Sequence, residues 1–299
     1  MLDFAPIALA HKPEFDAFSV RAEGRVVERS FATLYAWAPR FKTELCRKGD
    51  FLYFRSSPAS QTVFLMPMGE GDLSDALDEM EADAKRLSIP FQMRGLTQEM
   101  VRRVEEARPD RYVFTERRDQ ADYLYAVSDL RDLAGRGYHS KRNFITRFEN
   151  QYAGRWQYED ITKDNLNDVW AFQDKWCRKN DCASSVTLQE ESTAIAMLLY
   201  NLDALDAFGG LLRVDGAVTA FTVGSMIGRD TLDVNVEKAD YDVVGSYPMI
   251  NRAFVRRRCE GLSYVNREED MGLEGLRRAK LSYRPAEILL KYDAALREV

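Results

Sequence analysis

The sequence predicts an α/β protein built in two halves. Its 299 residues, 45% of them hydrophobic, are enough for two ordinary cores and many for one compact unit. Strand-type and helix-type patterns alternate along the whole chain, which favours sheets flanked by helices. In the second half the predicted order is β-α-α-β-β-β-α-β-α-β, and it includes a strand-to-helix turn from Glu237 to Asn251. We therefore predict two domains, 1–150 and 151–299.

In the first half, strands and helices alternate. Phe51–Arg55 and Thr62–Pro67 are rich in aromatic and β-branched residues and have the composition of paired strands. The segment Asp72–Ser88 keeps its apolar residues on one face at helical spacing, with Asp72 in the N-cap position. A strand, a helix and two further strands are predicted at 90–94, 97–107, 112–116 and 122–127.

The second half follows a basic helix at 135–150, which we place between the domains. Its clearest signal is a hairpin, because Asp215-Gly216 separates two apolar runs and favours a type I′ turn. A third strand at 231–237 completes a meander. The remaining elements are a strand at 155–161, helices at 163–179, 188–205, 248–259 and 273–283, and strands at 263–266 and after Pro285.

Composition excludes several function classes. The net charge of -6 gives no global attraction to nucleic acid or to an anionic membrane. Uncharged stretches fall short of the roughly 18 to 20 apolar residues of a spanning helix, and the amino terminus lacks a secretory profile. The chain has only two histidines, and its four cysteines form no Cys-x-x-Cys pair. We therefore expect a cytoplasmic protein with reduced thiols, no metal and no integral membrane segment.

Two predicted strands carry polar residues in alternation. In 231–237 the strand period places Asp233, Asn235 and Glu237 on one face. In 264–268 the same period aligns Asn266 with Glu268. If these strands are neighbours and splay apart, the cleft between them would hold a carboxylate able to accept a proton from an attacking amine. The alternative is that both polar faces simply meet solvent on one side of an antiparallel sheet.

Three further features have both a functional and a structural interpretation. Gly245 and Pro248 mark a helix start whose backbone N–H groups could bind a phosphate, although any capped helix start has a similar sequence. Tyr283 could protonate a leaving group or merely pack its ring against the last strand. The basic helix could bind phosphates of a carrier or of RNA, or it could be a solvated face. Its cationic residues are Arg136, His139, Lys141, Arg142 and Arg147.

With these residues in place, the chain resembles a known family. The runs Gly-Arg-Gly-Tyr-His-Ser-Lys-Arg-Asn-Phe-Ile (135–145), Gly-Ser-Tyr-Pro-Met-Ile-Asn (245–251) and Tyr-Val-Asn-Arg-Glu-Glu-Asp-Met-Gly (264–272) are similar to the phosphatidylglycerol lysyltransferase C-terminal domain family. This family resembles the Gcn5-related N-acetyltransferases. The resemblance covers nearly the whole chain and implies two tandem acetyltransferase-like domains. Each would be a mixed, mostly antiparallel sheet flanked by helices.

The resemblance also implies a donor site. In the superfamily, the turn after the fourth strand binds the pyrophosphate of coenzyme A. This chain has one glycine and a Tyr-Pro pair where the usual motif has a second glycine, and related users of aminoacyl-tRNA relax the same motif. The donor is therefore expected to be a coenzyme A thioester or, alternatively, aminoacyl-tRNA. The matching cofactor-binding positions here are Val243, Val244, Gly245, Ser246 and Tyr247.

We expect an acyltransferase or aminoacyltransferase that moves its group to an amine or hydroxyl acceptor, such as a small molecule or a peptide. Glu237 or Glu268 would act as base and Tyr283 as acid, with Asn266 lining the cleft. The residues expected to bind substrate or phosphates are Lys141, Arg142, Asp233 and Asn235. The alternative is a non-catalytic module that binds a ligand or partner on a duplicated acetyltransferase-like fold.

Overall fold

The computed structural model describes residues 1–19, 24–58 and 61–298. Within these ranges, eight strands form a first sheet, sheet 1, in the order β1-β2-β3-β4-β6-β15-β7, and β5 pairs with β3. Its strands are antiparallel except for the parallel pair β4 and β6. The strands are Ala5–Pro6 (β1), Glu44–Lys48 (β2), Phe51–Ser56 (β3), Val63–Leu65 (β4), Met68–Gly69 (β5), Gln92–Thr97 (β6), Tyr112–Glu116 (β7) and Lys291–Leu296 (β15).

Sheet 2 contains the remaining strands, in the order β14-β8-β13-β12-β11-β10-β9. It is antiparallel except for the parallel pair β12 and β13. The strands are Asp122–Ala126 (β8), Trp156–Asp160 (β9), Phe208–Val214 (β10), Ala217–Ile227 (β11), Thr231–Ala239 (β12), Tyr264–Glu269 (β13) and Glu287–Leu289 (β14).

Helices cover both sheets. The helices are Lys12–Ser19 (α1), Phe31–Ala36 (α2), Ala38–Phe41 (α3), Leu73–Arg86 (α4), Gln98–Ala107 (α5), Val127–Asp132 (α6), His139–Gln151 (α7), Leu166–Lys179 (α8), Val186–Tyr200 (α9), Ser246–Arg258 (α10) and Glu274–Leu281 (α11). One core lies between sheet 1 and helices α4 and α5. A second joins α1 and α2 to α8, α9 and sheet 2. A third packs α6, α7 and α10 on sheet 2. The predicted class of mixed, mostly antiparallel sheets flanked by helices is confirmed.

Local sequence signals account for several elements. Asp72 accepts a hydrogen bond from the backbone N–H of Ser74 at 2.8 Å and caps α4, as predicted. Asp215 and Gly216 both have positive φ, 51° and 80°, which a type I′ turn requires, and they join β10 to β11. The predicted helix at 188–205 starts earlier and ends at Tyr200. The segment after Pro285 forms two strands rather than one.

The two sheets exchange strands. Strand β8 comes from the first half of the chain but lies in sheet 2, and β15 comes from the last residues but lies in sheet 1. Lys291, at the start of β15, is fully buried. Its ammonium group lies 2.8 Å from Asp122, 2.9 Å from Glu269 and 2.9 Å from Glu28. This lysine therefore ties sheet 1 to strands β8 and β13 of sheet 2. The division of the chain at residue 150 stays a prediction.

The cysteines differ from the expectation of reduced thiols. Cys177 and Cys182 form a disulfide with their Cα atoms 5.0 Å apart, so the expectation was wrong for this pair. The pair links the end of α8 to the short helical turn that follows it. Cys46 and Cys259 are free and buried.

Strands β12 and β13 pair only at one end. Their parallel register joins Thr231 to Tyr264, Leu232 to Val265 and Asp233 to Asn266. Both strands are fully described and continue to Ala239 and Glu269 without further pairing to each other. A bulge in β13 follows Asn266, and Glu268 there has a φ of +56°. We call the space beyond the last paired residues the strand opening.

Gly245 illustrates how tightly the turn after β12 packs. Its φ is +89°, and a β-carbon there would lie 2.4 Å from the carbonyl oxygen of Phe144 in α7. We predict that Gly245→Ala lowers the free energy of unfolding by the left-handed penalty of roughly 1–2 kcal/mol plus a packing cost of roughly 1–3 kcal/mol. Urea unfolding measures this change.

Gly216→Ala is the matched control. Gly216 has a similar φ of +80° but nothing within 4 Å of its added β-carbon, so only the left-handed penalty applies. Equal losses in the two variants would contradict the close packing of α7 on this turn.

Candidate functional site

The strand opening contains a buried ion pair. Arg267 of β13 donates from Nη2 to Oε1 of Glu237 on β12 at 2.9 Å. The side chains are only 14% and 10% exposed. Asn251 of α10 donates from Nδ2 to the other oxygen of Glu237, also at 2.9 Å. Both carboxylate oxygens of Glu237 are therefore occupied, and Glu237 and Arg267 hold one another across the opening.

Tyr283 lies against the same arginine. The Arg267 Cζ atom is 4.7 Å from the centroid of the Tyr283 ring, and the Lys141 ammonium is 4.0 Å from it. Burial raises the pKa of Tyr283, so its phenol is protonated at neutral pH. Burial also lowers the pKa of Lys141 to about 8, and the charge of Arg267 acts in the same direction. We call Lys141, Glu237, Arg267 and Tyr283 the phenol cluster.

A second group of polar residues lies where the strands part. Asp233 is fully buried, and its Oδ2 atom accepts hydrogen bonds from Thr33 Oγ1 at 2.9 Å and Asn235 Nδ2 at 2.8 Å. Asn266 accepts a hydrogen bond at Oδ1 from the backbone N–H of Glu268 at 2.7 Å. We call Asp233, Asn235, Asn266 and Glu268 the carboxylate cluster.

The carboxylates of this cluster resist ionisation. Burial raises the pKa of Asp233 to about 7, and the hydroxyl of Thr33 partly offsets that rise. Burial also raises the pKa of Glu268, and the nearby charge of Asp233 raises it further. A carboxyl group with a raised pKa is the stronger base once it is ionised. Of the two predicted bases, Glu268 therefore has the environment that suits proton transfer better than Glu237.

The turn that matches the coenzyme A motif packs closely against α7 and forms hydrogen bonds within itself. Gly245 packs against the backbone of Phe144, and Pro248 has no N–H group to offer. The Ser246 hydroxyl donates to the carbonyl oxygens of Asp240 at 3.0 Å and Val243 at 2.7 Å, and its N–H donates to Val243. Ser246 therefore offers no free donor to a pyrophosphate. The assignment of Val243, Val244, Gly245, Ser246 and Tyr247 to cofactor binding stays a prediction.

Arg142 does not join either cluster. Its guanidinium donates to the carbonyl oxygens of Leu133 and, at 2.7 Å, Gly135, just after α6. These contacts stabilise the end of a helix, where the backbone carbonyls lack partners. The predicted role of Arg142 in phosphate binding therefore stays untested, whereas its neighbour Lys141 faces Tyr283.

The structure brings three of the predicted residues, Lys141, Glu237 and Tyr283, around one residue that the sequence analysis missed. Arg267 was overlooked because strict alternation along β13 drew attention to Asn266 and Glu268. The available signal was Arg267 itself, a cation between the polar residues Asn266 and Glu268.

A cavity of about 240 Å³ lies between α8 and the segment that follows β12. Its lining includes Phe172 and Trp176 together with Lys175 and Lys179. Both lysines bind the carboxylate of Asp240, at 2.8 and 2.7 Å. Because these charges are already paired, this cavity is a weaker candidate than the strand opening.

Two further features concern metal binding and membrane spanning. Across residues 1–19, 24–58 and 61–298, no group of three or more His, Cys, Asp or Glu side chains is arranged to hold a metal ion. In the same part of the chain, none of the helices combines the length and apolar character needed to cross a bilayer.

Several known proteins are similar to this chain in sequence or in fold. Residues 21–295 match the family described as phosphatidylglycerol lysyltransferase, C-terminal. A crystal structure of a conserved protein of unknown function from Bacteroides thetaiotaomicron VPI-5482 is 39% identical, with a TM-score of 0.96 over 99% of this chain and 100% of that one. An uncharacterized protein of Mycoplasmoides gallisepticum, MYCGA3080, is 25% identical over 175 residues. That match spans 57% of this chain and about half, 54%, of the Mycoplasmoides protein.

The tandem architecture has its own structural counterpart. A tandem GNAT protein from the clavulanic acid biosynthesis pathway matches 99% of this chain and 98% of its own, with a TM-score of 0.50 and 8% identity. At that identity the likeness shows the fold alone. The prediction of two tandem acetyltransferase-like folds is confirmed.

The lowered pKa of Lys141 has a consequence for stability. Its pKa is about 8 in the folded chain and near the ordinary 10.5 in the unfolded chain. Between these values the unfolded chain binds more protons, so this lysine makes the free energy of unfolding rise with pH. We predict that Lys141→Met removes part of that rise, measured by urea unfolding at intervals from pH 8 to 10.5.

Lys163→Met is the matched control, because the Lys163 side chain is 90% exposed. It should leave the pH dependence unchanged. A Lys141→Met variant whose pH dependence equals that of the wild type would show that Lys141 is an ordinary, solvated lysine.

Proposed function

Because the chain belongs to the phosphatidylglycerol lysyltransferase C-terminal family, we propose that it transfers an aminoacyl group from aminoacyl-tRNA to an amine or hydroxyl acceptor. Family and fold together indicate an acyl or aminoacyl transferase. The observation that carries the location of the chemistry is the strand opening, where Arg267 pairs with Glu237 and lies, together with Lys141, against the ring of Tyr283.

The donor is proposed from the state of the turn after β12. A coenzyme A pyrophosphate would need free backbone N–H groups at a helix start. Here Ser246 uses its donors internally and α7 packs on Gly245, which disfavours that mode of binding. A tRNA could instead be held outside the opening and insert only its aminoacylated end. We retain acyl-CoA as the alternative that the experiment below must exclude.

In the proposed reaction the acceptor nitrogen or oxygen attacks the ester carbonyl carbon of the donor. The new bond forms to this carbon while its bond to the ribose oxygen breaks. Glu268 accepts the proton lost by the acceptor, and the Tyr283 phenol gives its proton to the departing ribose oxygen. The positive charges of Arg267 and Lys141 stabilise the phenolate left on Tyr283. Tyr283 is afterwards reprotonated from solvent, and Glu268 releases its proton.

Glu237 has a positioning role in this scheme. Its two oxygens hold the Arg267 guanidinium on one side and the Asn251 amide on the other. Removing its charge would leave the Arg267 guanidinium without its carboxylate partner inside the protein, which is costly. The proposed consequence is that Arg267 would leave the Tyr283 ring.

The transfer assay uses tRNA charged with radiolabelled amino acids, a matched series of labelled acyl-CoA thioesters, and a panel of small amines, amino alcohols and short peptides. We expect label from aminoacyl-tRNA in the acceptor and none from acyl-CoA. Transfer and tRNA binding should weaken steeply as salt rises, because phosphate contacts release counterions. Transfer from acyl-CoA alone would contradict the proposed donor.

Tyr283→Phe tests the proposed acid. We expect roughly a hundredfold loss of the single-turnover rate, because general acid catalysis typically contributes at least that much. The control is Tyr200→Phe, since Tyr200 is 69% exposed on α9 and lies outside both clusters. If Tyr283→Phe keeps the full rate, the phenol is not the acid. If neither donor yields a product, the fold serves as a non-catalytic binding module.

A further inference from the structure

The carboxylate cluster leaves three acceptor atoms without partners. Oδ1 of Asp233, Oδ1 of Asn235 and Oε1 of Glu268 are buried and accept no hydrogen bond within the described part of the chain. Asp233 itself is fully buried. A buried acceptor without a donor costs about 1–3 kcal/mol, so one such atom calls for an explanation and three close together call for a shared one.

These atoms belong to one region of the molecule. Asn235 donates to the other oxygen of Asp233 at 2.8 Å, which brings their side chains together. The backbone of Glu268 is bonded to the side chain of Asn266, the residue that pairs with Asp233 across β12 and β13. The charge of Asp233 also raises the pKa of Glu268, which requires the two carboxyl groups to be near one another. The three acceptors therefore belong to one region at the base of the strand opening.

The surroundings favour a cation in that space. Carboxyl groups at Glu28, Asp122, Asp233, Glu268 and Glu269 influence one another's ionisation in this region, and Lys280 and Lys291 are the lysines that act on them. Neither lysine is available to Asp233 or Glu268 as a hydrogen-bond donor. Lys291 is taken by Glu28, Asp122 and Glu269, and Lys280 donates to the backbone carbonyls of Arg267 and Glu269.

Two of the three acceptors belong to residues that are partly exposed. The side chains of Asn235 and Glu268 are only partly buried, in contrast to Asp233 behind them. An incoming group would thus meet Asn235 and Glu268 first and Asp233 last. Three acceptors match the three N–H donors of a primary ammonium group, whereas a planar guanidinium presents five.

We propose that Asp233, Asn235 and Glu268 bind the primary ammonium group of a substrate at the base of the strand opening. This inference rests on the proposed function and specifies the substrate class of that site. The ammonium group can come from the aminoacyl donor or from an amine acceptor, and both share the chemistry described here. A simple acyl group such as acetyl carries no such cation and would leave the three acceptors unpaired.

Calorimetry with small ligands tests the site without any transfer step. Alaninamide carries the ammonium group and propionamide is its neutral counterpart. We expect alaninamide to bind at least tenfold more tightly than propionamide at pH 7. Asp233→Asn and Glu268→Gln should each weaken alaninamide roughly ten- to hundredfold, the range of a lost hydrogen bond to a charged group, and leave propionamide unchanged. Equal binding of the two amides would overturn the proposal.

Asp230→Asn is the matched control, because Asp230 lies just before β12 and pairs with the exposed Arg25. It removes one negative charge of the same strand region and should not change alaninamide binding. Thermal unfolding checks that the Asp233 and Glu268 variants are folded. We expect them to be as stable as the wild type or more so, since each removes a carboxylate from a buried position. An equal loss of affinity in Asp230→Asn would reduce the effect to general electrostatics and overturn the proposal.

The source of the ammonium group is decided by two stable nucleoside analogues, 3′-alanylamino-3′-deoxyadenosine and its propionyl counterpart. If the donor supplies the group, the alanyl analogue binds more tightly and loses this advantage in Asp233→Asn. If the acceptor supplies it, the two analogues bind equally and alaninamide binds alongside them. If the protein binds the ammonium ligands but transfers no group from either donor, the result would contradict the proposed function and not this inference. Transfer that persists in Asp233→Asn, with no difference in ammonium binding between this variant and the wild type, would contradict this inference alone.

Discussion

The arrangement of the two sheets depends on one buried ion cluster. Lys291 begins the last strand of sheet 1, yet its ammonium group lies among Asp122 and Glu269 of sheet 2 and Glu28 of the segment before α2. Removing one partner from such a cluster leaves an uncompensated charge and typically costs about 3–5 kcal/mol. The cluster therefore fixes β8 and β13 against sheet 1, and with them the edge of the strand opening.

Two consequences of this constraint define the site. The first is that β13 is held on its far side by β8, while its parallel pairing with β12 ends at Asp233 and Asn266. The second is that Lys291 is fully occupied, and one oxygen of Asp233 and one oxygen of Glu268 have no hydrogen-bond donor. One wall of the opening thus carries cations and a protonated phenol, and its base carries carboxyl groups. That division suits a reaction in which one side gives a proton and the other takes one.

Most helices and strands, and part of the site, could be predicted from local patterns in the sequence. The Asp215-Gly216 turn and the Asp72 cap follow from short-range chemistry, which needs no knowledge of distant residues. The predicted alternation that placed Glu237 on the same face as Asp233 was wrong, because β12 has a bulge opposite Val223 and Gly224. Asp233 therefore bonds Thr33 of α2, whereas Glu237 bonds Asn251 of α10. The placement of β8 and β15 in the opposite sheets could not be predicted, because long-range pairing leaves no local signature.

The role of Arg267 escaped sequence analysis for a related reason. Its contact with Glu237 depends on the parting of β12 and β13 and on the bulge at Glu268, where φ is +56°. A non-glycine residue in that conformation is uncommon and breaks the simple alternation that the analysis assumed. The closure of the Gly245 turn by α7 was likewise invisible, since it requires the backbone of Phe144.

The most direct test of the account is a crystal structure with a stable amide analogue of the aminoacylated end of tRNA. We predict that the analogue occupies the strand opening, with the oxygen or nitrogen of the scissile bond within hydrogen-bond distance of the Tyr283 phenol, about 2.5–3.2 Å. Binding confined to the cavity lined by Phe172 and Trp176, or to the turn at Gly245, with the strand opening unchanged, would contradict it.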